Sequence, residues 1–312
     1  MNTNTDYFGN IIGQKAVKKV AGSLVQSHHG GIPVPHILLV APKGCGKTEI
    51  AKCIAKGLNK KGVLFNSAGI KNTEAFMLDV VTDVIQDKDI TVIFDECHEL
   101  PKGVQSLMLS MLNPNSMKRN TVRYKDYEAE IDFRRQSFIF ATTDPQKVDK
   151  ALKSRCKLIE LEEYTQSDIA DIVSLTRPEI DNASLLLDIA NVCRGNARDA
   201  VTLGEDIERE LAKKPVGERD EFNRADWARL VDVHGIQPMG ISRKEMQLLK
   251  LIYGGKQDGV SLSDLAFRIG DTPNVVRLET EAFLRKLELI TVTDNSKRIL
   301  TAKGKVLMDA LK

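Results

Sequence analysis

The sequence has 312 residues, 45 Lys and Arg against 43 Asp and Glu, and a hydrophobic fraction of 42%. That is enough chain for two or three domains with a real core. A net charge of +2 excludes a global field that would hold the whole molecule on nucleic acid, so any basic surface must be local.

Helical spacing of Val17, Val20 and Leu24 predicts a first helix, and HILLV (36–40) reads as a buried strand. Ile50, Ile54 and Leu58 recur on one face of a second helix. VLF (63–65), ITVIF (90–94) and SFIFA (137–141) are further strands. Continuous apolar strands separated by helices imply a parallel sheet covered on both faces, hence an α/β fold. From about residue 162 the strands stop. DNASLLLDIANVC (181–193) opens with capping residues and continues with helical periodicity, and 211–226 is a polar loop between helices. From about 241 the order is helix (243–253), GlyGly, helix (261–269), helix (273–288), then strand, polar turn and strand within LITVTDNSKRILTAKG. Three helices followed by a β-ribbon is the winged-helix order. The expected domains are 1–161, 162–236 and 237–312.

Five cysteines (45, 53, 97, 156, 193) stand far apart, with no CxxC and no Cys/His ligand cluster, so reduced thiols are expected. MNTNTDYFGN lacks the charged and apolar regions of a signal peptide, and no apolar run approaches a membrane span of about 18–20 residues. A cytoplasmic protein is expected.

APKGCGKTEI (41–50) raises the first chemical question. Gly46, Lys47 and Thr48 satisfy the phosphate-loop pattern, but Ala41 stands where the pattern has its first glycine. A buried strand ends at Val40, a glycine-containing loop follows, and a helix begins near Lys47. In that setting backbone N–H groups and the positive end of a helix face the phosphates. The stretch Ala41, Pro42, Lys43, Gly44, Cys45, Gly46, Lys47, Thr48 and Glu49 would wrap them. Lys47 would neutralise β- and γ-phosphate charge, and Thr48 would place its hydroxyl on Mg²⁺. Alanine at the first position costs at most about 1–2 kcal/mol, and only if its φ is positive.

ITVIFDECHEL (90–100) is an apolar strand ending in two carboxylates. Asp95 would hold Mg²⁺, and Glu96 would polarise the attacking water. DECH also spells the signature of a second helicase superfamily. That class needs a second RecA-like domain, which a helical chain after 162 does not supply. His98 is expected at a helix start beside the site. FIFATTDPQKVDKALKSRC (138–156) is a strand with hydroxyls at its end and then a short helix closing on Ser154, Arg155 and Cys156. CRGNARDAV (193–201) puts Gly195 and Arg198 at another helix start.

In this order the segments resemble the AAA+ ATPases: Walker A, Walker B, sensor 1, arginine finger and sensor 2. The resemblance runs over nearly the whole chain, and the family accepts Ala at the first Walker A position. It implies Thr143 as sensor 1, Arg155 as the finger reaching a neighbouring subunit's γ-phosphate, and Arg198 as sensor 2. A finger used in trans implies a homo-oligomer, such as a hexameric ring. Within that family the chain resembles the RuvB-type Holliday junction branch-migration motors. FGNIIGQKAVKKV (8–20) is similar to the segment that covers the adenine, which implies Phe8 and Ile12 against the base. RGNARDA and the C-terminal run from LIYGG to LTAKG are also similar.

The resemblance implies ATP and Mg²⁺, duplex DNA as partner, and a role in recombination and repair. The departures are an absent Arg-Pro ahead of Ile12, a wing tip reading Asn295-Ser296-Lys297-Arg298 rather than Arg-Gly-Arg, and a charged segment at 115–136. In the family that segment is a hairpin that docks a junction-binding protein. Such departures would suit a divergent member, for instance a viral one acting in host cytoplasm.

A motor of this kind grips phosphates rather than bases. Lys297 and Arg298 are the first DNA candidates, with Arg277, Arg285 and Lys286 behind them. Glu279 and Glu281 share that helix and would repel DNA if they faced it. Lys118, Arg119, Arg123, Lys125, Arg134 and Arg135 could meet DNA, a partner or only solvent. Two other functions stand beside the motor. One is a clamp-loader-like subunit, which would end in a helical collar. The other is an ATP-dependent DNA-binding switch or scaffold.

Overall fold

The computed structural model describes residues 7–86, 88–112, 119–124, 127–133, 135–255 and 258–311, with backbone only over 119–132. Lys118, Lys125 and Arg134 lie outside the described residues, as do the side chains of Arg119 and Arg123. The chain divides into two units, Met1–Phe222 and Asn223–Lys312.

The first unit is built on a five-stranded parallel sheet in the order β2-β3-β6-β1-β7. Its strands are β1 (His36–Val40), β2 (Lys61–Asn66), β3 (Ile90–Asp95), β6 (Ser137–Thr142) and β7 (Cys156–Glu160). The apolar runs at 36–40, 90–94 and 137–141 are the three central strands. Their residues alternate between two cores. Leu38, Val92, Phe94, Phe138 and Phe140 point to one face. Ile37, Leu39, Ile93, Ile139 and Ala141 point to the other. Both sets are buried, which is why these strands show no polar alternation.

Helices close both faces. α1 (Lys15–His29) and α2 (Lys47–Gly57) press Val17, Ala21, Val25, Ile50, Ala51 and Ile54 on the second face. The first face is covered by α3 (Thr73–Ala75), which continues as a π-wound turn over Phe76–Ile85, and by α4 (Lys102–Met111). Phe94 stacks between Phe65 and Phe140 at centroid separations of 5.8 and 5.6 Å. Each such ring contributes about 2–3 kcal/mol by leaving water. Burial pushes the thiols of Cys97, Cys156 and Cys193 up to about 12, so these free cysteines stay protonated.

Strand β7 was not anticipated from the sequence. CKLIE is short and largely exposed, because it is an edge strand, paired among the described residues with β1 alone. A second feature, the antiparallel hairpin of β4 (Arg119–Tyr124) and β5 (Tyr127–Asp132), lies inside the charged segment at 115–136. After the short α5 (Lys150–Ser154) and β7 come α6 (Gln166–Thr176), α7 (Ala183–Val192) and α8 (Ala197–Ala212). Thr165, Asn182 and Asn196 accept from backbone amides at their three starts.

The second unit holds α9 (Arg224–His234), α10 (Arg243–Tyr253), α11 (Leu262–Ile269) and α12 (Pro273–Val275). A π-wound stretch, Val276–Thr280, joins α12 to α13 (Glu281–Lys286), and α14 (Ala302–Ala310) closes the chain. β8 (Val260–Ser261), β9 (Ile290–Val292) and β10 (Lys297–Leu300) form an antiparallel sheet in the order β8-β10-β9. The predicted winged-helix order is therefore present, with α14 and β8 added to it. A sheet in this unit also departs from the helical collar of a clamp-loader subunit.

The wing corrects one expectation. Arg298 does not face solvent: it is 6% exposed, on the same side of β10 as Leu300. Its Nε donates to Glu281 Oε2 at 2.9 Å and its Nη1 to Ser296 O at 2.7 Å. Glu281 is itself 1% exposed. Strand alternation decides this. Leu300 must enter the core, so Arg298, two residues earlier, enters with it and neutralises the buried carboxylate. Arg298 is thus not available to phosphate, and Glu281 is not available to repel it. Lys297 remains at the surface, paired with Asp258.

We expect Arg298→Ala to destabilise this unit by about 3–5 kcal/mol, because buried Glu281 would keep only the longer contact of Arg285 Nη1 with its Oε1, at 3.7 Å. The pair replacement Glu281→Leu with Arg298→Met should recover most of that. Urea unfolding of the full chain reads both. An Arg298→Ala protein as stable as the parent would contradict the role given to the pair.

Candidate active site

The carboxyl ends of β1, β3 and β6 lie side by side, with Val40, Asp95 and Thr142 as their last residues. A cavity of about 650 Å³ opens there. Among its lining residues are Lys43, Gly44, Gly46, Lys47, Thr48 and Glu49 from the loop after β1, Asp95 and Glu96 from β3, and Arg198 from α8. Thr48 and Asp95, 47 residues apart in sequence, therefore meet. They do so because β1 and β3 both pair with β6 in parallel.

The loop has the geometry the glycines demand. Gly44 and Gly46 have φ of 77° and 86°, and Gly46 caps α2. A Cβ on Gly44 would lie 1.7 Å from Asn196 Oδ1, so a side chain there would be strained at this φ and would displace Asn196 from its cap on α8. Ala41 is absent from the left-handed residues, so the missing first glycine costs no strain. Lys47 is 7% exposed, and its Nζ donates to Ala41 O and Pro42 O at 2.9 and 3.0 Å. Burial pushes its pKa down, while the Glu96 and Asp95 carboxylates pull it back up. Thr48 Oγ1 donates to Asp95 Oδ2 at 2.9 Å. A hydroxyl and a carboxylate side by side on a cavity floor suit an octahedral Mg²⁺ that takes its other ligands from phosphate and water. Among the described residues no larger cluster of His, Cys, Asp or Glu could hold a metal.

Glu96 follows the strand in a left-handed conformation, φ 50° and ψ 49°, which costs a non-glycine residue about 1–2 kcal/mol. Such strain is found where a side chain must be aimed. Thr143 donates to Glu96 Oε2 through Oγ1 at 2.9 Å and through N at 3.3 Å. The helices after β7 also touch the loop, since Ala197 N donates to Gly44 O at 3.1 Å. Arg198 lies one residue further on, inside the cavity.

Other expected residues stand apart. Phe8 is buried in the core with Ile11 and Ile50, and neither it nor the half-buried Ile12 lines the cavity. Gln14 anchors that opening segment: its Nε2 donates to Glu162 O at 2.6 Å and its Oε1 accepts from Glu162 N at 3.1 Å. Arg155 lies at the end of α5, outside the cavity lining, with Nη1 donating to Ala151 O at 3.1 Å. Leu64, Asn66 and Val201 line the cavity and were not anticipated. Asn66 could have been found from register, since it pairs with Asp95. Leu64 and Val201 carry no such signal.

Residues 37–164 match the ATPase family associated with various cellular activities (AAA). The Holliday junction branch migration complex subunit RuvB of Synechococcus sp. (strain CC9605) is 28% identical, over 96% of this chain and 87% of that protein. The subunit of the same name from Thermotoga maritima is 27% identical over 94% and 88%. The chain carries an AAA-type ATPase domain and is similar to RuvB subunits along nearly its whole length. The solved Thermotoga maritima RuvB Holliday junction branch migration motor superposes with a TM-score of 0.71, covering 96% of this chain and 95% of that one at 24% identity. That likeness is one of fold, and it covers residues of both units. No helix among the described residues is long and apolar enough to cross a membrane.

Proposed function

We propose that this chain hydrolyses ATP to drive branch migration of Holliday junctions in recombination and repair. The observation that carries the reading is the meeting of Lys47, Thr48, Asp95, Glu96 and Arg198 in one cavity, in a chain similar to RuvB subunits along nearly its whole length. Lys47 and the loop amides bind the β- and γ-phosphates. Thr48 and Asp95 would hold Mg²⁺, which supplies charge to the phosphoryl oxygens. Glu96 takes the proton of the attacking water, with Thr143 keeping its carboxylate in place. Arg198 contacts the γ-phosphate from the 162–236 segment, read as a lid. Arg155 completes the site of a neighbouring copy in a homo-oligomer, for which a hexameric ring is the simplest closed form.

The 237–312 segment takes the DNA-binding part. Residues 223–312 carry 15 Lys and Arg against 11 Asp and Glu, whereas 1–222 carry 30 against 32. The positive excess therefore falls in the C-terminal unit. Lys297 is retained as a phosphate contact, and the hairpin segment 115–136 as the dock for a junction-binding protein. Acting on DNA in this way assigns the chain to the cytoplasm.

The test is steady-state ATP hydrolysis without DNA, with linear duplex, and with a four-way junction. We expect duplex or junction to stimulate turnover, and the effect to fade as salt rises because phosphate contacts release counterions. The junction should also be resolved into duplex products. Hydrolysis indifferent to DNA would overturn the motor reading and favour a partner-dependent switch.

A further inference from the structure

Glu96 follows its strand in a strained left-handed turn, and no described hydrogen bond from its own segment holds the carboxylate. Among the described residues the hydrogen bonds to its carboxylate come from Thr143, just after the neighbouring strand β6. What holds Thr143 in turn is its neighbour. Thr142 is fully buried, and its Oγ1 accepts from Asp144 N at 3.0 Å and lies 2.9 Å from His98 Nδ1. The His98 side chain is 9% exposed. The short 3₁₀ turn Cys97–Glu99 folds its ring back over the end of β6. There Nε2 lies 3.2 Å from Glu99 Oε1, and Nδ1 lies 3.4 Å from Glu96 Oε2.

The proton count of this cluster closes. With Glu99 Oε1 as an acceptor, the tautomer that gives every group a partner carries its hydrogen on Nε2. Nδ1 is then an acceptor, and the Thr142 hydroxyl, which already accepts from Asp144, gives its own hydrogen to it. Each group has one use for each hydrogen. The Thr142 side chain is thereby locked, and the Thr143 hydroxyl that follows it stays under Glu96.

We propose that His98 is a positioning residue for Glu96, acting through the Thr142–Thr143 pair. It is not itself among the residues that line the cavity. Its loss releases the Thr142 hydroxyl, loosens the 142–144 turn, and lets the one-third-exposed Glu96 side chain swing away from its place. The binding groups Lys47, Thr48 and Asp95 keep their own hydrogen bonds. The effect therefore falls on the chemical step and not on nucleotide affinity.

The inference rests on the ATPase reading of the same site, so the experiment includes the parent protein and Glu96→Gln. If the parent does not hydrolyse ATP, or Glu96→Gln does so equally well, the reading itself falls and takes this inference with it. If both behave as expected, His98 is tested alone. We expect His98→Ala to lower kcat about tenfold while the affinity for Mg-ATP stays within about twofold. His98→Asn should recover most of the loss, because its amide oxygen reaches the place of Nδ1 and can accept from Thr142. His98→Leu, which fills the space without accepting, should remain low although folded.

Thr142→Val should match His98→Ala, and the double variant should be no worse than either, since both break one link. Full activity in His98→Leu, failure of Asn to rescue, additive losses, or a loss of affinity equal to the loss of kcat would each overturn the proposal and leave His98 a packing residue.

Discussion

Glu96→Gln will lower kcat for ATP by about 10²–10⁴-fold, the range in which a positioned general base contributes. Glutamine has the same shape. Its amide oxygen can still accept from Thr143 Oγ1, as Oε2 does now at 2.9 Å. What it lacks is the basicity to take a proton from water. Lys47, Thr48 and Asp95 are untouched, and their hydrogen bonds involve Glu96 only through its backbone N, which the substitution keeps. Nucleotide affinity should therefore change by less than about threefold. Fluorescent-nucleotide titration beside a phosphate-release assay separates the two quantities. A variant that hydrolyses at the parent rate would place the base elsewhere and make the strained turn at Glu96 a structural accident.

The second large effect is expected at Arg155. This residue ends α5, bonds one helix carbonyl, and has a buried Nε with no hydrogen-bond partner in the described structure. A guanidinium so lightly used inside its own chain has donors to offer elsewhere. Arg155→Ala should reduce hydrolysis by about 10³-fold or more, the scale of an arginine finger. Position alone does not distinguish a finger from an ordinary surface arginine, but a mixing experiment does. Arg155→Ala protomers keep Glu96, and Glu96→Gln protomers keep Arg155. Mixed at equal amounts, about a quarter of head-to-tail interfaces would join an intact base to an intact arginine. Activity should reappear in the mixture although neither variant is active alone. A mixture as inactive as its components would show that Arg155 acts within its own chain or not at all.

Most of the nucleotide site was legible in the sequence because its signals are local. A strand followed by GCGKT and a helix fixes the phosphate loop, and an apolar strand ending in Asp95 and Glu96 fixes the second half. Both follow from backbone geometry that a few adjacent residues decide. The C-terminal unit was legible for the same reason, its helices being capped by Ser242, Ser261 and Thr272 where the pattern places their starts. The strand β7 was not, because an exposed edge strand of five residues lacks the apolar run that marks a buried one.

The sequence by itself determined the α/β order, the loop that wraps phosphate and the pair of carboxylates, since chain-local periodicity and turn chemistry suffice for each. Tertiary structure alone decided three other matters. It turned Arg298 inward onto Glu281, because strand alternation and a buried partner outweigh the preference of arginine for water. It laid Asn196 and Ala197 against Gly44, so that a Cβ at Gly44 would push the Asn196 side chain off its cap. And it brought His98 onto Thr142, 44 residues away, because β3 and β6 are neighbours in a parallel sheet. Contacts of that kind depend on which strands pair, and pairing is set by the whole core rather than by any one stretch of chain.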